Sequence, residues 1–109
     1  MAKNWTAPQI AKHKVSDGNE PLVMLTAYDA PGGRMVSEAG ADIILVGDTL
    51  AMVVLGYEDT MQVTIEDMVH HTAAVARAEP DAFIVADLPW MSYHVSQEET
   101  VKNLSLIHI

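Results

Sequence analysis

The sequence predicts an α/β fold with a parallel sheet, laid out as the opening units of a (β/α)₈ TIM barrel. Three observations carry this. Two short apolar runs, Ile43-Ile44-Leu45-Val46 and Phe83-Ile84-Val85-Ala86, are rich in β-branched residues, and each is followed within two residues by an aspartate, Asp48 or Asp87. Such runs read as strands buried on both faces, as in parallel sheets. Segments with helical spacing separate them, and a third apolar run, Leu22 to Ala27, comes before both. The resulting order, strand then helix three times over, is that of βα units around a parallel sheet. A complete barrel takes ~250 residues. The 109 residues here hold about the first three βα units, so 1–104 reads as the N-terminal part of a single barrel domain.

Each element has a local cause. Thr6 can cap a short helix over Ala7 to Lys14, with Pro8 tolerated in its first turn. Ser16 to Pro21 is turn-like in composition. The first strand is Leu22 to Ala27, with Tyr28 and Asp29 at its end. Asp29 can cap a helix from about Ala30 to Ala39, with Met35, Val36 and Ala39 inward and Gly40 as its stop. Gly32 and Gly33 should fray its first turns, at roughly 1 kcal/mol each. After the second strand, Leu50 to Tyr57 is apolar without a decisive period and reads as a short helical turn over the barrel mouth.

Glu58-Asp59-Thr60 is a polar loop. Thr64-Ile65-Glu66-Asp67 is a capping-box start, with Ile65, Met68, Val69, Thr72, Ala73 and Ala76 at helical spacing behind it. Glu79-Pro80-Asp81 ends that helix. The third strand follows, then a loop from Leu88 to His94, then a helix opened by Ser96 with Glu99. Ser105 to Ile109 switches to an apolar pattern that breaks the amphipathic one, and reads as a tail foreign to the domain.

Composition narrows the function classes. A formal net charge of −9 and a pI near 4.7 repel phosphate backbones, which argues against nucleic-acid partners. There is no cysteine, hence no disulfide framework, thiolate metal site or cysteine nucleophile. The start lacks the apolar run of a signal peptide, and no apolar segment approaches the ~18 residues of a membrane span. The reading is a soluble cytoplasmic protein.

If the strands are neighbours, Asp48 and Asp87 both stand at the C-terminal face, where barrel enzymes keep their sites. Two carboxylates that close repel unless a proton or cation intervenes. Oxygen ligands without cysteine favour Mg²⁺, which could bind a 2-oxo acid and acidify its neighbouring C–H. Thr49 could donate to the substrate carboxylate. Either aspartate alone is more simply a helix cap or turn residue, and only their pairing puts the metal reading on equal terms. His70 and His71 are consecutive, roughly 100° apart on a helix, and cannot share a metal; one packed and one solvated is the simpler reading. His94 reads as structural. Met24, Met35, Met52, Met68 and Met91 read as core filler. Tyr28 either lines the pocket or covers it.

Read together and in order, Leu25-Thr26-Ala27-Tyr28-Asp29, Val46-Gly47-Asp48-Thr49-Leu50-Ala51-Met52-Val53, Val63-Thr64 with His71-Thr72, and Ala86-Asp87-Leu88-Pro89 closely resemble the ketopantoate hydroxymethyltransferase family, from about Thr26 to Asn103. The resemblance implies a barrel of the phosphoenolpyruvate/pyruvate type. It implies Mg²⁺-dependent transfer of a hydroxymethyl group from 5,10-methylenetetrahydrofolate to 3-methyl-2-oxobutanoate, giving 2-dehydropantoate on the route to pantothenate and coenzyme A. By the same resemblance Asp48 and Asp87 are metal ligands that also contact substrate, and Thr49 stands where the family usually has Ser. Ala51 and the Gly32-Gly33 pair depart from the family pattern without touching the ligands. The resemblance also implies a cytoplasmic homo-oligomer, in many members a decamer. It places the substrate-binding lysine, a further metal-shell glutamate and the general-base glutamate beyond residue 109, so no catalytic residue is assigned within the chain and the chain alone is expected to be inactive. Two alternatives stand beside this reading: a lyase or mutase acting on 2-oxo acids in the same barrel superfamily, and a truncated chain without a catalytic role.

Overall fold

A computed structural model describes residues 4–107. Its order is α1 (Ala7–Lys12), β1 (Met24–Thr26), α2 (Ala30–Glu38), β2 (Ile43–Val46), α3 (Leu50–Val53), α4 (Ile65–Arg77), β3 (Phe83–Ala86) and α5 (Gln97–Ile107), with 3₁₀ turns at Val15–Asp17 and Thr60–Gln62. The three strands form one parallel sheet in the order β1-β2-β3. The expected alternation of strand and helix is present; β2 and β3 match the apolar runs that announced them, while β1 is shorter, losing Leu22, Val23 and Ala27.

The pleat and the register decide which residues meet. Leu25, Ile44 and Ile84 share one row, and Val46 pairs with Ala86, so alternate residues face the same side. Ile44 and Val46 are fully buried and join Ala27, Leu50, Ala51, Val63, Met68, Val75 and Ala82 in one core, with Val36, Ile84, Ala86 and Ile107 packed against it. The helices cover this face.

Several expectations for α2 are overturned. Met35 is 69% exposed and Ala39 is also exposed, while Val36 is half-buried and Gly33 is the buried residue of the helix. The glycines do not fray: the helix begins at Ala30, because the Asp29 carboxylate accepts the Gly32 N–H at 2.7 Å. The contact of α2 with α4 is the reason for Gly33. A β-carbon there would lie 3.1 Å from Val75 Cγ1, so any larger residue would push Val75 aside by a few tenths of an ångström, and glycine leaves the two helices their close approach. The methionines also depart from expectation. Of the five expected in the core, Met68 alone is there; Met24, Met35, Met52 and Met91 are 46–69% exposed.

Capping follows the sequence. Thr6 with Gln9 and Thr64 with Asp67 form reciprocal capping boxes, and the Ser96 hydroxyl accepts the Glu99 N–H. α1 stops at Lys12 rather than Lys14. The apolar stretch after β2 forms a single short helix, α3, with Leu50 and Ala51 buried. At the far end the expected break is not seen among the described residues: α5 runs through Ser105 and Leu106 to Ile107, and Ile107 packs against the core. His108 and Ile109 lie outside the described residues.

Two polar anchors hold the sheet at its N-terminal edge. Asp42, just before β2, is buried; its carboxylate accepts the Trp5 indole N–H at 3.1 Å and the Val23 N–H at 2.9 Å, and its carbonyl accepts the Phe83 N–H at 2.9 Å. Ser37 of α2 accepts the N–H groups of Asp81 (3.0 Å) and Ala82 (3.3 Å) just before β3.

Candidate active site

The C-terminal tips of β2 and β3 come together as the sequence required. Val46 pairs with Ala86 at the end of the ladder, and the Asp87 N–H continues it to the Val46 carbonyl at 3.0 Å. The chain of β2 then turns at Gly47. The Asp87 carboxylate accepts the Asp48 N–H at 3.1 Å, which ties the two aspartate-bearing tips directly. Gly47 has no side chain to obstruct this: a β-carbon there would lie 3.3 Å from Thr49 Oγ1 and 3.5 Å from Asp87 Oδ2.

Asp48 is half-buried. Its carboxyl is held above the ordinary aspartate range, first because burial disfavours the ionised form, then because the Asp87 charge repels it; its own backbone N–H offsets part of this. Neither aspartate behaves as a helix cap. α3 has no side-chain cap, and the amide Asp87 accepts belongs to another strand's tip. Among the described residues no group of three or more His, Cys, Asp or Glu side chains is placed to hold a metal.

Thr49 sits at the start of α3 but leaves its hydroxyl out of the cap. That hydroxyl is exposed and meets the Tyr28 phenol at 3.4 Å, so Tyr28 stands beside the site at the tip of β1. His71 and His70 divide as expected into a half-buried and an exposed residue, with their rings edge-on at 5.2 Å. His71 Nδ1 lies 2.7 Å from the Tyr28 carbonyl, a contact that spacing in sequence gave no means to find. His94 packs with tilted rings against Trp90 (4.6 Å) and Tyr93 (4.3 Å) in the loop after β3. Sequence reasoning also missed Asn103, a buried residue of α5 whose amide donates to the Ser92 carbonyl at 2.7 Å and so ties that helix to the same loop.

A groove of about 810 Å³ lies elsewhere, between α4, β3 and α5. It is lined by Val69, Ala73, Ile84, Ala86, Leu104 and Ile107 among others, and by Thr72, whose buried hydroxyl has no partner among the described residues. None of Asp48, Thr49 and Asp87 lines it, so the chemistry of the strand tips is separate from this helix-side space.

A sequence model of the ketopantoate hydroxymethyltransferase family matches residues 4–108. The chain belongs to this family. Its curated relatives include the 3-methyl-2-oxobutanoate hydroxymethyltransferases of Geobacillus sp. (strain WCH70), 57% identical over 94 residues, and of Bacillus subtilis (strain 168), 55% identical over 94 residues. In each case the match covers 86% of this chain and 34% of the relative. The chain thus spans about a third of the length of the ketopantoate hydroxymethyltransferases it matches.

Proposed function

We propose that this segment supplies the first three βα units of a (β/α)₈ barrel enzyme that transfers a hydroxymethyl group from 5,10-methylenetetrahydrofolate to 3-methyl-2-oxobutanoate, giving 2-dehydropantoate. The observation that carries the reading is the convergence of Asp48 and Asp87 at two adjacent parallel strand tips, one amide hydrogen bond apart. Two neighbouring half-buried carboxylates, with the Asp87 charge adding to the cost of ionising Asp48, fit a hard divalent cation, because the cation relieves that repulsion. Asp48 and Asp87 would hold Mg²⁺. When bound, it would supply Lewis acidity to the carbonyl of the 2-oxo acid.

The chain's own residues do the rest of what this segment contributes. Asp48 and Asp87 set the charge and orientation of the substrate site. The Thr49 hydroxyl, left out of the helix cap, donates to the substrate carboxylate. Tyr28 limits the space beside it. The group that takes the proton from the 2-oxo acid comes from outside this segment, so the 109 residues expressed alone should show no hydroxymethyl transfer. The complete enzyme is read as a cytoplasmic homo-oligomer, a decamer on the family resemblance. No helix among the described residues is long and apolar enough to cross a membrane.

Steady-state kinetics with a Mg²⁺ titration, on a complete enzyme carrying this segment, test the reading. Asp48→Asn and Asp87→Asn each keep size and remove charge, and should lower kcat as well as raise KM. Normal turnover by both at the same Mg²⁺ concentration would overturn it.

A further inference from the structure

We propose that His71 is a positioning residue of the site: through the main chain of Tyr28 it sets where the Tyr28 phenol stands against the Thr49 hydroxyl. This rests on the reading of Thr49 as a substrate-binding group.

The hydrogen bond itself fixes the state of the ring. A carbonyl oxygen only accepts, so His71 Nδ1 must carry the proton that is donated to the Tyr28 carbonyl at 2.7 Å. A neutral His71 is therefore the Nδ1–H tautomer.

The bond falls just past the end of the β1 ladder, on the main chain of a residue whose side chain packs against the core. The ladder to β2 ends with the Ala27 N–H on the Leu45 carbonyl at 3.2 Å. Tyr28 is the next residue, and α2 is capped only from Asp29 onward. His71 reaches across from α4 to this one peptide. α4 is itself fixed by Met68 and Val75, both fully buried, and by the close contact of Val75 with Gly33. A rigid helix thus holds the end of a short edge strand.

What is held matters to the site. The Tyr28 phenol meets Thr49 Oγ1 at 3.4 Å, the long limit of a hydrogen bond, where a shift of a few tenths of an ångström makes or breaks it. Thr49 is next to Asp48, whose N–H is bound by Asp87. His71, Tyr28, Thr49 and Asp48 therefore form a continuous series of contacts from the helix layer to the strand tips. A purely structural histidine would tie α4 to β1 equally well, but would leave substrate affinity alone once the protein is folded.

The test uses the complete enzyme with His71→Leu, His71→Asn, His71→Gln and Tyr28→Phe, and His70→Leu as the neighbouring control. Loss of one hydrogen bond predicts a rise in KM for the 2-oxo acid of about 3- to 10-fold in His71→Leu, with kcat less affected. Asn can place an amide N–H where Nδ1–H stood and should restore most of the affinity; Gln, with its amide one bond further out, should not. His70→Leu should leave KM unchanged. In a Tyr28→Phe background the KM effect of His71→Leu should vanish, because the phenol it positions is gone. If His71→Leu does not fold, the Asn and Gln pair carries the comparison.

An unchanged KM in His71→Leu or His71→Gln, with only a lower melting temperature, would overturn the proposal. So would an equal KM effect with and without the Tyr28 hydroxyl. Asp48→Asn assayed alongside separates the two levels: normal turnover there removes the functional reading, whereas lost turnover with an unchanged KM in the His71 variants removes this inference alone.

Discussion

The two ends of β2 each carry an aspartate, and the two are used in opposite ways. At the N-terminal end Asp42 is buried, and its carboxylate is matched to two N–H donors, from Trp5 and Val23. At the C-terminal end Asp48 faces a second carboxylate, and its own pKa is raised by burial and by that neighbour. A carboxylate with donors on it stabilises a fold. A carboxylate held against another carboxylate weakens it, and such an arrangement points to a ligand that restores the balance. The same residue type, six positions apart and flanking one short strand, serves structure at one end and, in the proposed function, chemistry at the other.

The largest effect that could break this contrast lies at Asp48. Replacing it by Asn should cut kcat/KM of the complete enzyme by more than about 100-fold, since even the outer partners of metal ligands are worth roughly 10- to 100-fold. The same variant should unfold no more easily, and without metal should be slightly more stable. A destabilised Asp48→Asn protein would show that this carboxylate belongs with Asp42.

Asp42→Ala should do the reverse. It leaves the Trp5 indole and the Val23 amide without an acceptor in a buried setting, at a cost of about 2–4 kcal/mol by urea unfolding, with substrate KM unchanged in the folded fraction.

A smaller effect sharpens the packing that holds both ends. Gly33→Ala gains helix propensity but drives a methyl against Val75, for a net loss of about 1 kcal/mol. Pairing it with Val75→Ala should recover part of that loss, which a double-mutant cycle in denaturant would read.

The smallest is a pH effect. Asp48 has a folded pKa above the ordinary aspartate value of 3.8, so the folded chain keeps a proton that the unfolded chain has already lost. Metal-free stability should therefore fall as pH rises from below 3.8 through the raised folded value, and the Asp48→Asn variant should lack that component. A titration of unfolding free energy across the acid range, with wild type and variant compared, measures it. Coincident curves would mean that Asp48 titrates alike in both states.

Much of this contrast was legible beforehand, and the part that was not has a common cause. The strand cores, the capping boxes at Thr6 and Thr64, and the placement of Asp48 and Asp87 at neighbouring tips follow from local patterns: apolar runs, cap spacing, and an acidic residue after each run. Asp42 also stands beside an apolar run, but at its entrance, where nothing local shows that Trp5 and Val23 will meet it. Gly33 read as a weak point in α2 because propensity counts only the helix itself; its use appears once Val75 of α4 lies across it. Met35 and Met24 read as core because they are apolar, although one faces away from α4 and the other belongs to the strand at one edge of this three-stranded sheet. His71 could be read as packed, but not as packed on Tyr28. In every case the missing fact was a contact between elements far apart in sequence.

The Ser37 hydroxyl has a bearing on the site that its distance from it conceals. By accepting both N–H groups just before β3, it fixes the residue at which that strand enters the sheet. Sliding β3 by one residue would turn Asp87 to the opposite face, and sliding it by two would carry Asp87 about 6.6 Å along the strand, out of reach of the Asp48 amide. The alignment of the two carboxylates is thus indexed from the other end of the strand, by a serine of α2.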